Sequence, residues 1–456
     1  MDQPAFTRRS SLALLSGGLA LAGGPLSAAA RRADAAVPWL YTPEQLQAEQ
    51  WCLRLERDPA VRAVKARVRK DLAASPRARI PDAALNLDRA MDQWTRSLIF
   101  AELDQRPWNP TFLWGTDDTP RAWLGHKLGG VGTAGDNPDA IYRTSTIEAG
   151  GRYEVTGRFH PDSRPVQLLF EANPGNRARP GEVMPVSGGR HQDVHSASML
   201  SDRDLAVAPD GSFRFTLSSE PGGRDHMRLP PSGPVILAVR DILGHWTDRP
   251  ARLAIRRLDV GRPRPWTYAV ARRMVLADLE GYIRFWSHFP DIWFGGLKPN
   301  THSAPMRRPG GWGFVVGMNF SLQPDQALVV TIERGGAGYT GFQINDPWMI
   351  APDARTRQVC LNGTQAVPNA DGSATYVICR SDPGAANWLD TDGMLDGLAL
   401  IRWQAIPEEL KGEGLLREFR VVPLRELGGR DLPRVSAAQR RQAVAARFGD
   451  YSARTR

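Results

Sequence analysis

Three short stretches hold the residues best suited to chemistry. In "GDNPDAIYR" (135–143), Asp136, Asn137, Asp139, Tyr142 and Arg143 precede a strand-like run. A carboxylate, a phenol and a guanidinium together suit proton transfer on an anionic or hydroxylated substrate, so Asp139, Tyr142 and Arg143 are candidate catalytic residues. The same residues also read as an Asn-Pro-Asp turn in which Arg143 pairs with Asp139. In "RSDPGAANWLDTDGMLDG" (380–397), Asn387, Trp388 and Asp390 stand at close spacing. Trp stacks on sugar or aromatic rings while Asn and Asp bond their hydroxyls. Asn387, Trp388 and Arg402 are therefore candidate ligand contacts, Asp390 is a candidate acid or base, and Arg402 or Arg143 is its expected neighbour. A core Trp with Asp390 capping the next turn is the alternative. Asn345 and Trp348, in "YTGFQINDPWM" (339–349), complete the candidate ligand set on this side.

The third stretch, "HQDVH", places His191 and His195 four apart. On a helix they would share a face, as zinc ligands do. The flanks are rich in Gly and Ser, and only Asp193 or Asp202 offers a third ligand nearby. The pair reads better as part of a lid over the ligand, and no metal is expected. A nucleophile elbow, a P-loop and a dinucleotide fingerprint are absent, so no cofactor is expected either.

The elements that must position these residues follow from periodicity. "TPEQLQAEQWCLRLERD" has Thr42 before Pro43 and Gln45 three after the cap, which predicts a capping box and a helix. Two more helices follow Asp58-Pro59 and Pro81, the second carrying Leu87, Met91, Trp94 and Leu98 on one face. From about residue 130 the apolar residues alternate and Gly, Pro and Asp punctuate them, as in antiparallel sheets. The chain then repeats itself. Asp210-Gly-Ser matches Asp371-Gly-Ser at an offset of 161, Arg240 matches Arg402 at 162, and Phe170 matches Phe342 at 172. An ordered series of matches argues for a duplicated β unit. Between the copies, Val270, Met274, Leu279, Tyr282 and Trp286 trace a helix that Pro290 follows, and Ser436 with Gln439 predicts a capping box for a C-terminal helix.

The fold expected is mainly β with α segments: two repeated antiparallel β-sandwich-like units plus helical N-terminal, middle and C-terminal segments. The boundaries read as a signal peptide at 1–35, a helical segment at 36–130, a first β unit at 131–262, a helical connector at 263–295, a second β unit at 296–425 and a helical tail at 426–456. "GDNPDAIYR", "DGSFRFTL", "YTGFQINDPWM", "LNGTQA" and "DPGAANWLDTDGMLDGLALIRW" together resemble the bacterial domain-of-unknown-function family 1214. The resemblance spans most of residues 130–425. It implies a β-sandwich protein of a family whose members are often exported. The family's motif usually reads Asp-Thr-x-Gly-His after the Trp; here the last place is Met394, so no role of that His transfers.

Export is also legible directly. Arg8 and Arg9 precede an apolar run from Leu12 to Ala22 and small residues around Ala28–Ala30 and Ala33–Ala35, which resembles a twin-arginine signal. A bulky residue two places after Arg9 is missing, because Ser11 stands there, so ordinary secretion stays open. The expected location is periplasmic or secreted, with the twin-arginine machinery as a partner and no stable membrane anchor after cleavage. Cys52, Cys360 and Cys379 make an odd set, of which Cys360 and Cys379 could pair. The net charge of +9 is carried by scattered Arg and no basic helix or aromatic-plus-basic cluster accompanies it, which argues against nucleic acid. Fourteen Trp tilt the ligand toward rings. The expected function is binding of a small hydroxylated or anionic, carbohydrate-like compound in a cleft between the two β units, by an enzyme using acid–base hydrolysis or elimination. The alternatives are a non-catalytic periplasmic binding module and a cell-envelope structural protein.

Overall fold

Short strands with alternating apolar residues need a second sheet to cover their inner face, and this chain meets that need twice. The structure, a computed structural model, describes residues 38–456 except 185, 188–189, 192–197, 260, 262 and 309–312; the side chains of 183, 186–187 and 190–191 are likewise left out. The first sandwich comprises β1 (Leu113–Thr116), β2 (Ala140–Glu148), β3 (Tyr153–Arg158), β4 (Gln167–Pro174), β5 (Ser198–Ser201), β6 (Ser212–Ser218), β7 (His226–Arg228), β8 (Pro234–Ile242) and β9 (Arg252–Arg257). Its sheets have the orders β1-β2-β8-β4-β5 and β7-β6-β3-β9. On β6, Phe213, Phe215 and Leu217 point inward, and Phe170 on β4 meets Phe215 edge-on at 4.8 Å between ring centres.

The second sandwich repeats the plan with β10 (Met306–Arg307), β11 (Gly313–Ser321), β12 (Gln326–Ile332), β13 (Tyr339–Asn345), β14 (Cys360–Asn362), β15 (Ala374–Cys379), β16 (Trp388–Asp390), β17 (Asp396–Gln404) and β18 (Leu416–Pro423). Its sheet orders are β10-β11-β17-β13-β14 and β16-β15-β12-β18. Each strand thus has a counterpart, and even the parallel pairing of β7 with β6 recurs as β16 with β15. Arg240 lies opposite Leu169 and Arg402 opposite Gly341 on corresponding strands. The matched Asp-Gly-Ser turns work alike. Gly211 and Gly372 take φ of 81° and 84°, and Asp210 and Asp371 accept the amides of Ser212 and Ser373 at 3.1 and 3.0 Å.

Helices α1 (Pro43–Glu56), α2 (Pro59–Ala73), α3 (Pro81–Leu103) and α4 (Tyr268–Phe294) form one apolar cluster with Val315, Leu398 and Leu400, on the outer face of the second five-stranded sheet. Thr42 caps α1 through the Gln45 amide at 3.0 Å. The expected capping box is only half made, because the Gln45 side chain bonds Glu49 and the backbone of Trp114 instead. Tertiary partners win over the local bond. The box at Ser436 and Gln439 is complete and starts α5 (Ala437–Ser452). Two boundaries differ from expectation. β1 falls inside the segment read as wholly helical, since its four residues are too short for a period to register. Helix α4 continues through Pro290 to Phe294, where Phe289, Pro290 and Phe294 are all buried. The three cysteines are buried and free, so Cys360 and Cys379 are not bridged; Cys360 Sγ meets Arg447 Nη2 at 3.3 Å and Cys379 meets the Ser381 carbonyl at 3.1 Å.

Near the end of α3, burial pushes the Glu102 carboxyl up to about 8, helped by the neighbouring Asp278 carboxylate. Burial likewise raises Asp104 to about 6 against the pull of Arg177. Both folded values lie above the unfolded ones, so the folded state holds the extra protons, and their stabilising contribution is lost as pH rises through about 6 to 8. Melting temperatures measured from pH 5 to pH 9 are expected to fall over that window. Glu102→Gln should flatten the slope and raise the pH 9 value by roughly 2–5 °C. A wild-type profile without this fall would contradict the assignment.

Candidate functional site

The loop 132–139 crosses from the first sandwich to the second. Gly135 takes φ of 64°, which strains other residues, and a Cβ there would displace the Leu400 side chain of β17, so glycine eases the approach of the two pieces. The Gly135 carbonyl accepts Arg402 Nη2, and the Asp136 carbonyl accepts Gln343 Nε2 at 3.0 Å. Asp139 is buried and saturated. It accepts Trp246 Nε1 at 2.5 Å, Tyr339 Oη at 2.6 Å and Asn362 Nδ2 at 3.1 Å. Those donors come from the first sandwich, β13 and β14. Burial and Asp139 hold the Tyr339 phenol well above its ordinary range, so it keeps the proton it donates. Arg143 faces the first sandwich's core and is spent on Asp241 and on the Ala251 carbonyl at 2.7 Å. Asp139 and Arg143, expected as an ion pair or as catalytic groups, are neither; each has its own buried partners.

Tyr142 and Arg402 differ from these two in retaining solvent contact. On β8, Val235, Leu237 and Val239 fill the core, so Arg240 lies on the opposite face, directly across from Tyr142 on β2. The Arg240 guanidinium stands 5.8 Å from the Tyr142 ring centre and pairs with Glu171 on β4. The Tyr142 oxygen accepts the Asn137 amide at 3.0 Å. Arg402 sits at the corresponding place of the second sandwich, and its Nη1 donates to Gln343 Oε1 at 2.5 Å. The registers make these diagonals equivalent: Ala238 opposes Glu171 as Leu400 opposes Gln343. The first copy therefore closes its arginine with a carboxylate, the second with a neutral amide. Arg177 is also held by neutral acceptors, Thr144 Oγ1 at 3.0 Å, Thr116 Oγ1 at 2.9 Å and the Gly115 carbonyl at 3.1 Å. Asp136 and Arg308 share this environment. Burial raises the Asp136 carboxyl although Arg177 and Arg402 pull it down, and burial with Arg240 and Arg402 nearby lowers Arg308. Three arginines, Arg240, Arg308 and Arg402, thus stand around Tyr142 with Glu171 and Asp136 as counter-charges, and Arg177 lies on the Asp136 side.

Such a set attracts a carboxylate or phosphate and offers Tyr142 to a hydroxyl, while Gln343 is buried and spent on Arg402, Asp136 and Asn345. Arg177 and Arg308 carry no local signal in an Arg-rich chain. Arg240 does: with Arg402 it is the charged residue that both copies place late in an apolar strand, "VILAVR" and "GLALIR".

The remaining candidates lie elsewhere. Trp388 is 8% exposed in a small core with Val377, Cys379 and Leu427, and its Nε1 donates to the Cys379 carbonyl at 2.9 Å. Asn387 exchanges bonds with the Val367 backbone at 2.8 Å both ways. Asp390 accepts the Asp392 amide at 2.8 Å and pairs with Arg357 at 3.2 Å, not with Arg402 or Arg143. The reading of Asn387, Trp388 and Asp390 as a groove gives way to the alternative, a core Trp with a turn-capping Asp. Asn345 and Trp348 are buried and bonded to the Met349 and Ala83 carbonyls, at 3.0 and 2.7 Å. Of the histidines, His191 lies in a two-residue strand paired with Val186, and His195 lies outside the described residues. Among the described residues no group of His, Cys, Asp and Glu is placed to hold a metal.

No protein-family model matches the chain, and no curated protein matches it. Among solved structures it is similar to an uncharacterized protein from Burkholderia cenocepacia, with 22% identity, a TM-score of 0.62 and coverage of 82% of this chain and 99% of that one. That likeness shows the fold. A protein from Vibrio parahaemolyticus matches with 11% identity and a TM-score of 0.36 over 63% of this chain and 89% of its own. Because Trp388 is a core residue, Trp388→Ala should lose about 3–5 kcal/mol in denaturant unfolding. Asp390→Asn should lose only about 1 kcal/mol. A stable Trp388→Ala variant would return that stretch to the site.

Proposed function

We propose that this chain is an exported, periplasmic or secreted protein of the domain-of-unknown-function 1214 type, and that it binds a small hydroxylated anion between its two five-stranded sheets. The observation that carries the reading is the exchange of Glu171 for Gln343 at equivalent positions, which leaves Arg402 without the carboxylate that Arg240 has. A guanidinium held only by neutral acceptors in a partly buried setting gains most from an incoming anion. Arg177 adds a second such charge. Tyr142 would bond a hydroxyl beside these charges, and a carbohydrate-like acid fits that combination.

Binding without turnover is the first reading, since the Tyr142 oxygen meets a backbone amide and the Asp136 carboxylate meets Thr133 at 2.9 Å. Hydrolysis or elimination is the second reading, favoured by the raised Asp136 carboxyl, which suits a proton donor beside Tyr142. The N-terminal arginines support export, and no helix among the described residues is long and apolar enough to cross a membrane.

A thermal-shift and calorimetry screen of sugar acids, phosphorylated polyols and their neutral counterparts tests this. Anions alone should bind, and Gln343→Glu, which copies the first sandwich's ion pair, should weaken them about tenfold or more, as should Arg402→Gln. Equal binding of neutral sugars, or full affinity in both variants, would contradict the proposal.

A further inference from the structure

A cleft of 1070 Å³ opens at the N-terminal end of α4, beside the end of β2 and the turn 231–234. Its walls include Pro107, Pro234, Trp108 and Trp266, and its rim carries Arg264 and Arg273. The two indoles are half-buried and meet edge to face, with centres 6.2 Å apart. A third arginine, Arg257, is already committed: it bonds Glu148 at 3.1 Å and Asp259 at 3.0 Å. Arg264 and Arg273 are exposed. Arg264 stands 5.9 Å from the Trp108 ring centre, and neither is in an ion pair among the described residues.

We propose that this cleft is a second binding site, distinct from the one around Arg402, for a small aromatic carboxylate. The chemistry is complementary on both ends. Trp edges and proline faces form a flat apolar slot for a ring. Two uncompensated guanidinium groups lie at its rim for the acid. The cleft also sits at the positive end of α4, a helix of 27 residues whose cap, Thr267, bonds the Val270 amide at 3.3 Å. A neutral ring would leave the arginines unanswered, and an inorganic anion would leave the slot empty.

Calorimetric titration of the full chain with 2-naphthoate, 2-naphthamide and glucuronate tests the proposal. 2-Naphthoate should bind saturably. Arg264→Ala/Arg273→Ala, two exposed changes, should weaken it about tenfold or more, and 2-naphthamide should bind comparably weakly to wild type. Arg402→Gln should leave 2-naphthoate affinity unchanged, which separates this site from the one between the sheets. Four results would overturn the proposal: no saturable 2-naphthoate binding up to about 10 mM, equal affinity in the double variant, loss in Arg402→Gln, or glucuronate binding here in preference to 2-naphthoate.

Discussion

A single buried carboxylate, Asp139, ties this molecule together. A carboxylate taken out of water needs several donors to offset its lost hydration. Asp139 finds three, from Trp246, Tyr339 and Asn362, and these come from both sandwiches. The C-terminal segment joins in: Arg454 reaches the Pro138 carbonyl, and Tyr451 packs edge-on against Trp246 at 4.8 Å between ring centres. Removing one donor would strand the others around a buried charge, so the loop 132–139 is held in one place. That constraint sets where Tyr142 and Arg402 stand relative to each other. It also explains why a stretch rich in reactive side chains divides its labour, with Asp139 and Arg143 spent on structure and Tyr142 left beside Arg240 and Arg402.

The duplication gives a second line of argument, because equivalent positions were once alike. Where both copies keep the same residues, the reason is geometric, as at the Asp-Gly-Ser turns. Where they part, each copy has taken its own use. Asn387, Trp388 and Asp390 replace Asp225, His226 and Arg228, and the gain is a small core between β15 and the C-terminal segment. Gln343 replaces Glu171, and the result is an arginine whose hydrogen bonds go to neutral acceptors, with Asp136 as its nearby counter-charge. A partly buried arginine bonded only to neutral groups contributes little to stability, and that is what motivates the proposed ligand.

Much of the architecture was legible in the sequence. Period-2 alternation in "DGSFRFTL" and the 161–172 offsets announced a duplicated β unit, and the registers of Arg240 and Arg402 agree with it. Caps at Thr42 and Ser436 located two helices. Burial was not legible. Trp388 beside Asn and Asp looks the same in a groove and in a core, and the decision rests on partners such as Cys379 and Val367 that arrive from a neighbouring strand and a loop. Arg177 and Arg308 could not be singled out among the many arginines of the chain. Their importance comes only from the sheet face onto which they fold. Gln45 makes the same point in miniature, since its side chain obeys Glu49 and Trp114 rather than its own helix.

The most direct test of the central claim is crystallographic. Anomalous difference density from a crystal soaked in selenate would locate bound oxyanions without assuming a ligand. The expected result is a leading peak within hydrogen-bond reach of Arg402 or Arg177, beside Tyr142. Selenate bound only at arginines on the outer surface, with nothing between the two five-stranded sheets, would contradict the account.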